Sequence, residues 1–156
     1  MKIPCPTPPF KLIRQHIFIR MTGAGYSGTP LLKKLGITPA SRVLLLNAPA
    51  DYTVILGADI SPQLVPAATV PDIIHAFVED QKQLRSALQA AGKYRSANPQ
   101  IVCWISWYKK SSKTATDVTE DVIRQYALPG GWVDVKVCAV DAIWSGLKLV
   151  VPLKNR

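Results

Sequence analysis

Lysines and hydroxyls crowd one short stretch of this 156-residue chain: Lys109, Lys110, Ser111, Ser112, Lys113, Thr114 and Thr116. Ammonium groups, hydroxyls and the unpaired amides of a following helix can together grip a phosphate or a carboxylate. A helix dipole supplies only about 0.3–1 kcal/mol at an exposed site, so the lysines would do most of the holding. Lys109, Lys110, Ser111, Ser112, Lys113 and Thr116 are therefore the candidate ligands of an anionic group. Tyr26, Ser27 and Thr29 would approach from a neighbouring loop, and Lys148 would add a charge. Against an anion stand Asp117, Glu120 and Asp121 at the same helix start. The stretch also lacks glycine, so it matches neither the phosphate loop nor the dinucleotide fingerprint. Two readings stay open here, a solvated polar loop and an anion site.

Other reactive side chains are fewer. His75 lies inside the apolar run IIHAFV and reads as a core histidine, with no catalytic partner beside it in sequence. Cys103 and Cys138 fall in apolar strands and Cys5 in the leader, without a CxxC or Cys/His cluster that would hold zinc. No secretory signal is present, so a reducing, cytoplasmic setting with buried thiols is expected. Asp141 reads as a turn residue that binds backbone amides. No catalytic residue, metal or cofactor is assigned.

The elements that must position this chemistry are legible. Residues 101–108 (IVCWISWY) form a strand apolar on both faces: Ile101, Cys103, Ile105 and Trp107 point one way, Val102, Trp104 and Tyr108 the other. After the lysine loop, Asp117 with Glu120 makes a capping-box pattern, and Val118, Val122, Ile123 and Ala127 recur at helical spacing until Pro129-Gly130-Gly131. Upstream, Thr29 caps a short helix with Pro30 at its first position, closed by Gly36. Residues 42–48 form the first strand, 51–57 a brief helix, and Leu64-Val65 a short edge strand. Residues 73–78 form a buried strand. A helix over 80–91 follows, with Leu84, Ala87, Leu88 and Ala91 inward and Gly92 as its stop. Strands over 132–140 and 143–151, joined by Asp141-Ala142, must be antiparallel because the link is so short.

This alternation predicts a three-layer, Rossmann-like α/β fold, a mostly parallel sheet ending in an antiparallel hairpin. In such a sheet the loop after the first strand carries the cofactor glycines. Here that loop is Asn47-Ala48-Pro49-Ala50-Asp51, without glycine, which argues against a dinucleotide or S-adenosylmethionine bound in the usual way.

The length fits one domain, taken as 21–156, with 1–20 as an extension. The leader has four prolines in its first nine positions and no apolar run fit for secretion or a membrane span, and Met21 is the expected native start. The net charge of +9 suggests nucleic acid, yet Lys2, Lys11, Arg14 and Arg20 lie in the leader and the remaining charge is scattered.

Three stretches carry a resemblance: GYSGTPLLKKLGI (25–37), TDVTEDVIRQYAL (116–128) and DVKVCAVDAIWSGLKLV (134–150). They resemble the small bacterial proteins of domain of unknown function 3052, a family that brings no activity with it. The terminal hairpin is also similar to the end of class I methyltransferases, which implies a shortened methyltransferase-like sheet without the cofactor loop.

Three functions compete. One is a non-enzymatic interaction or regulatory module, whose partner would be a protein or a second copy meeting an exposed apolar patch around Trp132 or Trp144. Another is a small-anion site or enzyme at the 109–117 junction. Nucleic-acid binding rests on charge alone and is the least favoured.

Overall fold

The computed structural model describes residues 28–156. The expectations for the leader, for Met21 as the start, and for Tyr26 and Ser27 fall outside that range. Five strands form one open sheet: β1 (Val43–Leu46), β2 (Ile73–Phe77), β3 (Val102–Tyr108), β4 (Val133–Ala139) and β5 (Trp144–Val150). Their spatial order is β1-β2-β3-β5-β4. β1, β2 and β3 pair in parallel, and β5 lies antiparallel between β3 and β4. The mostly parallel sheet with a terminal antiparallel hairpin is thus as expected.

Among the described residues four α-helices flank it: α1 (Leu31–Leu35), α2 (Tyr52–Leu56), α3 (Gln81–Gly92) and α4 (Glu120–Ala127). α3 and α4 bury Leu84, Ala87, Leu88, Ala91, Ile123 and Ala127 against one face. α1 and α2 bury Leu31, Leu35, Tyr52, Ile55 and Leu56 against the other. β3 shows why both faces must be covered. Ile101, Cys103, Ile105 and Trp107 belong to the first core, while Trp104 belongs to the second, with Val102 and Tyr108 packed against it. The indole N–H of Trp104 donates to the Leu35 carbonyl at 3.2 Å, which ties α1 to the sheet.

Several local expectations need correction. Thr29 does not cap α1: Pro30 is the N-cap, its carbonyl accepting from the Lys34 amide, and no side chain bonds the free amides. Gly36 does close α1 in the left-handed conformation, φ +80°. Gly92 is the last residue of α3 rather than its stop, and Lys93 follows it in right-handed geometry. The capping box at α4 is absent. Thr119 is the N-cap, accepting from the Val122 amide at 3.2 Å, because Asp117 is turned instead to the first amide of α3, Gln81 N, at 3.0 Å. The 64–65 segment is reduced to one parallel bridge between Leu64 and Val43 outside β1. Trp132 and Trp144, expected near an exposed patch, are 2% and 7% exposed. Trp144 packs edge-on to Phe77 and stacks on Tyr108, because an indole at a strand end gains most by burial.

Candidate functional site at the end of the central strand

Where β3 ends, the chain must cross to α4, and the crossing leaves a recess of about 610 Å³. Its lining comes from the end of β3 at Trp107 and Tyr108, from Lys109, Lys110 and Ser111 of the loop, and from Thr119, Glu120 and Asp121 at the start of α4. The Lys109 amide donates to the Ile143 carbonyl at 2.8 Å, which fixes the loop's departure against the start of β5. Tyr108 is held by stacking on Trp144 and by a bond from its hydroxyl to Glu79 Oε1 at 3.0 Å. Burial, helped by Glu79, raises the Tyr108 phenol above its ordinary value.

The candidate residues do not all converge. Lys109, Lys110, Ser111 and Thr116 line the recess, whereas Ser112, Lys113, Thr29 and Lys148 are not among its lining. Ser112 closes the loop on itself, Oγ donating to the Lys109 carbonyl at 2.7 Å. Lys113 turns the chain in the left-handed conformation, φ +60°. Thr116 donates to the Glu79 carbonyl and accepts from the Val118 amide, so its hydroxyl already shapes the loop. Lys148 sits mid-strand on β5, in register with Trp104 of β3 and Lys136 of β4.

The feared repulsion at the helix start is largely managed. Asp117 faces α3, and Arg124 gathers Glu120, Asp121 (3.1 Å) and Asp134 (2.9 Å) around one guanidinium. The bonds to Asp134 first and then to Glu120 raise the Arg124 guanidinium above its ordinary value. The recess is therefore bipolar in its lining, with Lys109 and Lys110 alongside Glu120 and Asp121, the two carboxylates sharing Arg124. The spacing of Glu120, Asp121 and Arg124 made the helical pairs readable in sequence; Asp134, on β4, could be brought in only by the fold.

His75 is a satisfied core histidine, and its partners come from other elements. Its Nδ1 lies 3.0 Å from the Tyr52 hydroxyl and its Nε2 2.7 Å from Ser106 Oγ. Both His75 and Ser106 are fully buried. Burial pushes the imidazole down to about 3 and raises the Tyr52 phenol and the Cys103 thiol. Sequence reasoning missed this chain because the pairing of β2 with β3 and the packing of α2 on the sheet, rather than spacing, bring Tyr52, His75 and Ser106 together. Asp141 behaves as expected, its Oδ1 accepting from the Ile143 and Trp144 amides, both at 2.8 Å. Among the described residues no group of three or more His, Cys, Asp or Glu is placed to hold a metal, and no helix is long and apolar enough to cross a membrane.

The strand order and the reversed β5 give a Rossmann-like sheet of methyltransferase-like topology. No family model and no curated protein matches the chain. Among solved structures, Aeropyrum pernix fibrillarin in complex with natively bound S-adenosyl-L-methionine is similar, with a TM-score of 0.51 and 13% identity over 85% of this chain and 74% of that one. Methanococcus jannaschii fibrillarin, a pre-rRNA processing protein, has a TM-score of 0.49 and 14% identity over 86% and 74% of the two chains. An uncharacterized protein from Listeria monocytogenes serotype 4b follows at 0.49 and 8%, over 80% and 68%. At such identities the likeness speaks for the fold alone.

The loop after β1 has its own conformation. Asn47 is left-handed, φ +56°, a geometry asparagine tolerates better than most residues. Ala48 packs against the core beneath α1 and α2, and the Pro49 carbonyl accepts from the Tyr52 amide at 3.0 Å to start α2.

Proposed function

We propose that the protein is a non-enzymatic, regulatory α/β module that binds a small ligand in the recess at the end of β3. The bipolar lining carries this reading. An anionic group would meet Lys109 and Lys110, while a hydroxyl or ammonium on the same molecule would face Glu120 and Asp121. A simple dianion is a poorer fit, because the opposing carboxylates offset the lysines. The glycine-free loop after β1 (Asn47-Ala48-Pro49-Ala50-Asp51) supports a site displaced from the usual cofactor position. A binding role is also favoured by the burial of Tyr52, His75 and Cys103 inside the two cores, away from the recess. A protein that senses the bound ligand is the partner we favour, in a cytoplasmic setting consistent with free thiols at Cys103 and Cys138. The likeness of 25–37, 116–128 and 134–150 to domain of unknown function 3052 is retained as part of this reading.

Thermal-shift titration with amino acids, carboxylates, phosphates, nucleotides and S-adenosylmethionine tests it. A true ligand at a hundredfold over its Kd adds about 2.7 kcal/mol of stability. That gain should disappear in the Lys109→Ala, Lys110→Ala double variant. Flat curves across the panel end the proposal. So does a shift with S-adenosylmethionine that the double variant leaves intact, since it would move the site to the β1 loop.

A further inference from the structure

A second groove lies at the other end of the sheet, among the end of α3, the end of α4 and the approach to β4. Its volume is about 440 Å³, and Arg85, Lys93 and Arg95 line it together with Leu88, Tyr126 and Trp132. None of the chain's ten Asp and Glu side chains is among the lining residues. The recess at β3 is lined by both signs of charge; the charged residues of this groove are all cationic.

Both guanidinium groups are held in place before any ligand arrives. Arg85 donates from Nη1 to the Tyr126 hydroxyl at 3.3 Å and lies 5.7 Å from that ring's centre. The Tyr126 hydroxyl in turn donates to Gln81 Oε1 at 2.9 Å. Arg95 donates from Nη1 to the Gly131 carbonyl at 3.3 Å and lies 5.8 Å from the centre of the Trp132 ring. Gly131 makes that approach possible: a Cβ there would stand 2.1 Å from Arg95 Nη1. The Arg95 Nε–H is buried without an acceptor. Arginine carries five fixed donors, so each guanidinium keeps donors to spare in a fork suited to phosphate. Neither arginine, nor Lys93, forms an ion pair among the described residues.

Helix C-termini attract cations, and two of them end here, which offers a plainer reason for the charge. Each terminus carries only about half an elementary charge, so two of them offset about one of the three cations. Arg85, moreover, projects from the middle of α3 rather than from its last turn. A net positive groove remains, with one buried donor at Arg95 Nε and the exposed Arg85 and Lys93 beside it.

We propose that this groove is a binding site for a phosphomonoester, whose dianionic phosphate bridges Arg85 and Arg95 with Lys93 as a third positive charge. The volume leaves room for an organic group beside the phosphate. The site goes beyond the function proposed above and shares no lining residue with the recess at β3.

Isothermal titration of the full chain with inorganic phosphate, glucose 6-phosphate and AMP tests the site, at constant ionic strength. Arginine Nε–H and Trp132 indole resonances are followed by NMR. Binding of at least one probe is expected, with the Arg95 and Trp132 signals shifting together. Phosphate alone binding as tightly as the esters identifies the phosphate as the whole recognition element, and tighter binding of one ester identifies the organic source. Arg85→Gln and Arg95→Gln should each weaken binding about tenfold or more, the scale of one charge-assisted contact. Gly92→Glu is a second variant that does not depend on removing a packed side chain. A Cβ at Gly92 meets nothing within 4 Å, and the added carboxylate would oppose the ligand, so binding should be lost while the thermal transition is kept. Absence of binding by all three probes overturns the proposal, leaving the arginines as caps of helix ends. Binding that survives these variants but is lost in the Lys109→Ala, Lys110→Ala protein overturns it equally, without touching the reading of the β3 recess.

Discussion

Between Tyr52 and Ser106, the His75 imidazole is kept neutral by burial, and this has a consequence for pH. Its folded value lies near 3, against 6.5 for the free group. Below 6.5 the unfolded chain takes up a proton that the folded chain refuses. Stability is therefore fully present above 6.5 and falls as pH drops from there towards 3, by up to about 1.4 kcal/mol per pH unit. Asp59 and Asp72 are held below the usual carboxylate value of 3.8 by Ser61 and Arg42, so their share is lost only in stronger acid. Chemical denaturation at pH 7.0, 6.0, 5.0 and 4.5 should show this decline in the native chain. His75→Asn should be less stable at pH 7 but nearly flat across the window. An unchanged slope in the variant would assign the pH dependence to other groups. Placing His75 in the core needed only its apolar neighbours in sequence; finding Ser106 needed the strand register, and finding Tyr52 needed the packing of α2 on the sheet.

At the level of elements, the junction after β3 shows how two helix starts compete for one carboxylate. The spacing of Asp117 and Glu120 fits a capping box on α4, yet Asp117 serves α3, where its Oδ1 joins Asp80 in binding first-turn amides. Its backbone carbonyl also accepts from the Gln81 side chain at 3.1 Å. A capping pattern reports which atoms are available, and tertiary packing decides whose amides they meet. Asp117→Ala should therefore cost about 1 kcal/mol. Hydrogen exchange should quicken in the first turn of α3 and stay unchanged in that of α4, which Thr119 caps. Faster exchange confined to α4 would restore the capping box. The inner face of α3 was legible from period alone, because Leu84, Ala87, Leu88 and Ala91 fall on one side of any α-helix.

Across the whole molecule, β4 is an edge of the sheet with no further strand beside it among the described residues, and Val135 and Val137 there are 55% and 46% exposed. An unprotected edge invites pairing with another chain. Two features guard it: the register shift between Asp134 and Lys136, and Lys136 itself. The guard carries a local cost, since Lys136 stands directly opposite Lys148 on β5, and like charges so placed lose about 0.2–1 kcal/mol. Lys136→Val should then raise the unfolding free energy slightly while promoting self-association, seen as a rising mass in light scattering at increasing concentration. A variant that stays monomeric at every concentration where the protein remains in solution would refute the role of Lys136.

Hydrophobic periodicity in the chain was enough to determine that strands and helices alternate, that β3 is covered on both faces, and that the last two strands turn back on each other. Such features depend on neighbours a few residues apart, and near neighbours are what a sequence records. Tertiary structure alone decided which of the lysines and hydroxyls at 109–116 line a common recess, where Asp117 points, and that Arg85 and Arg95 share a groove. Each of those depends on contacts between residues distant in sequence, whose geometry is set by sheet register and helix packing rather than by local spacing.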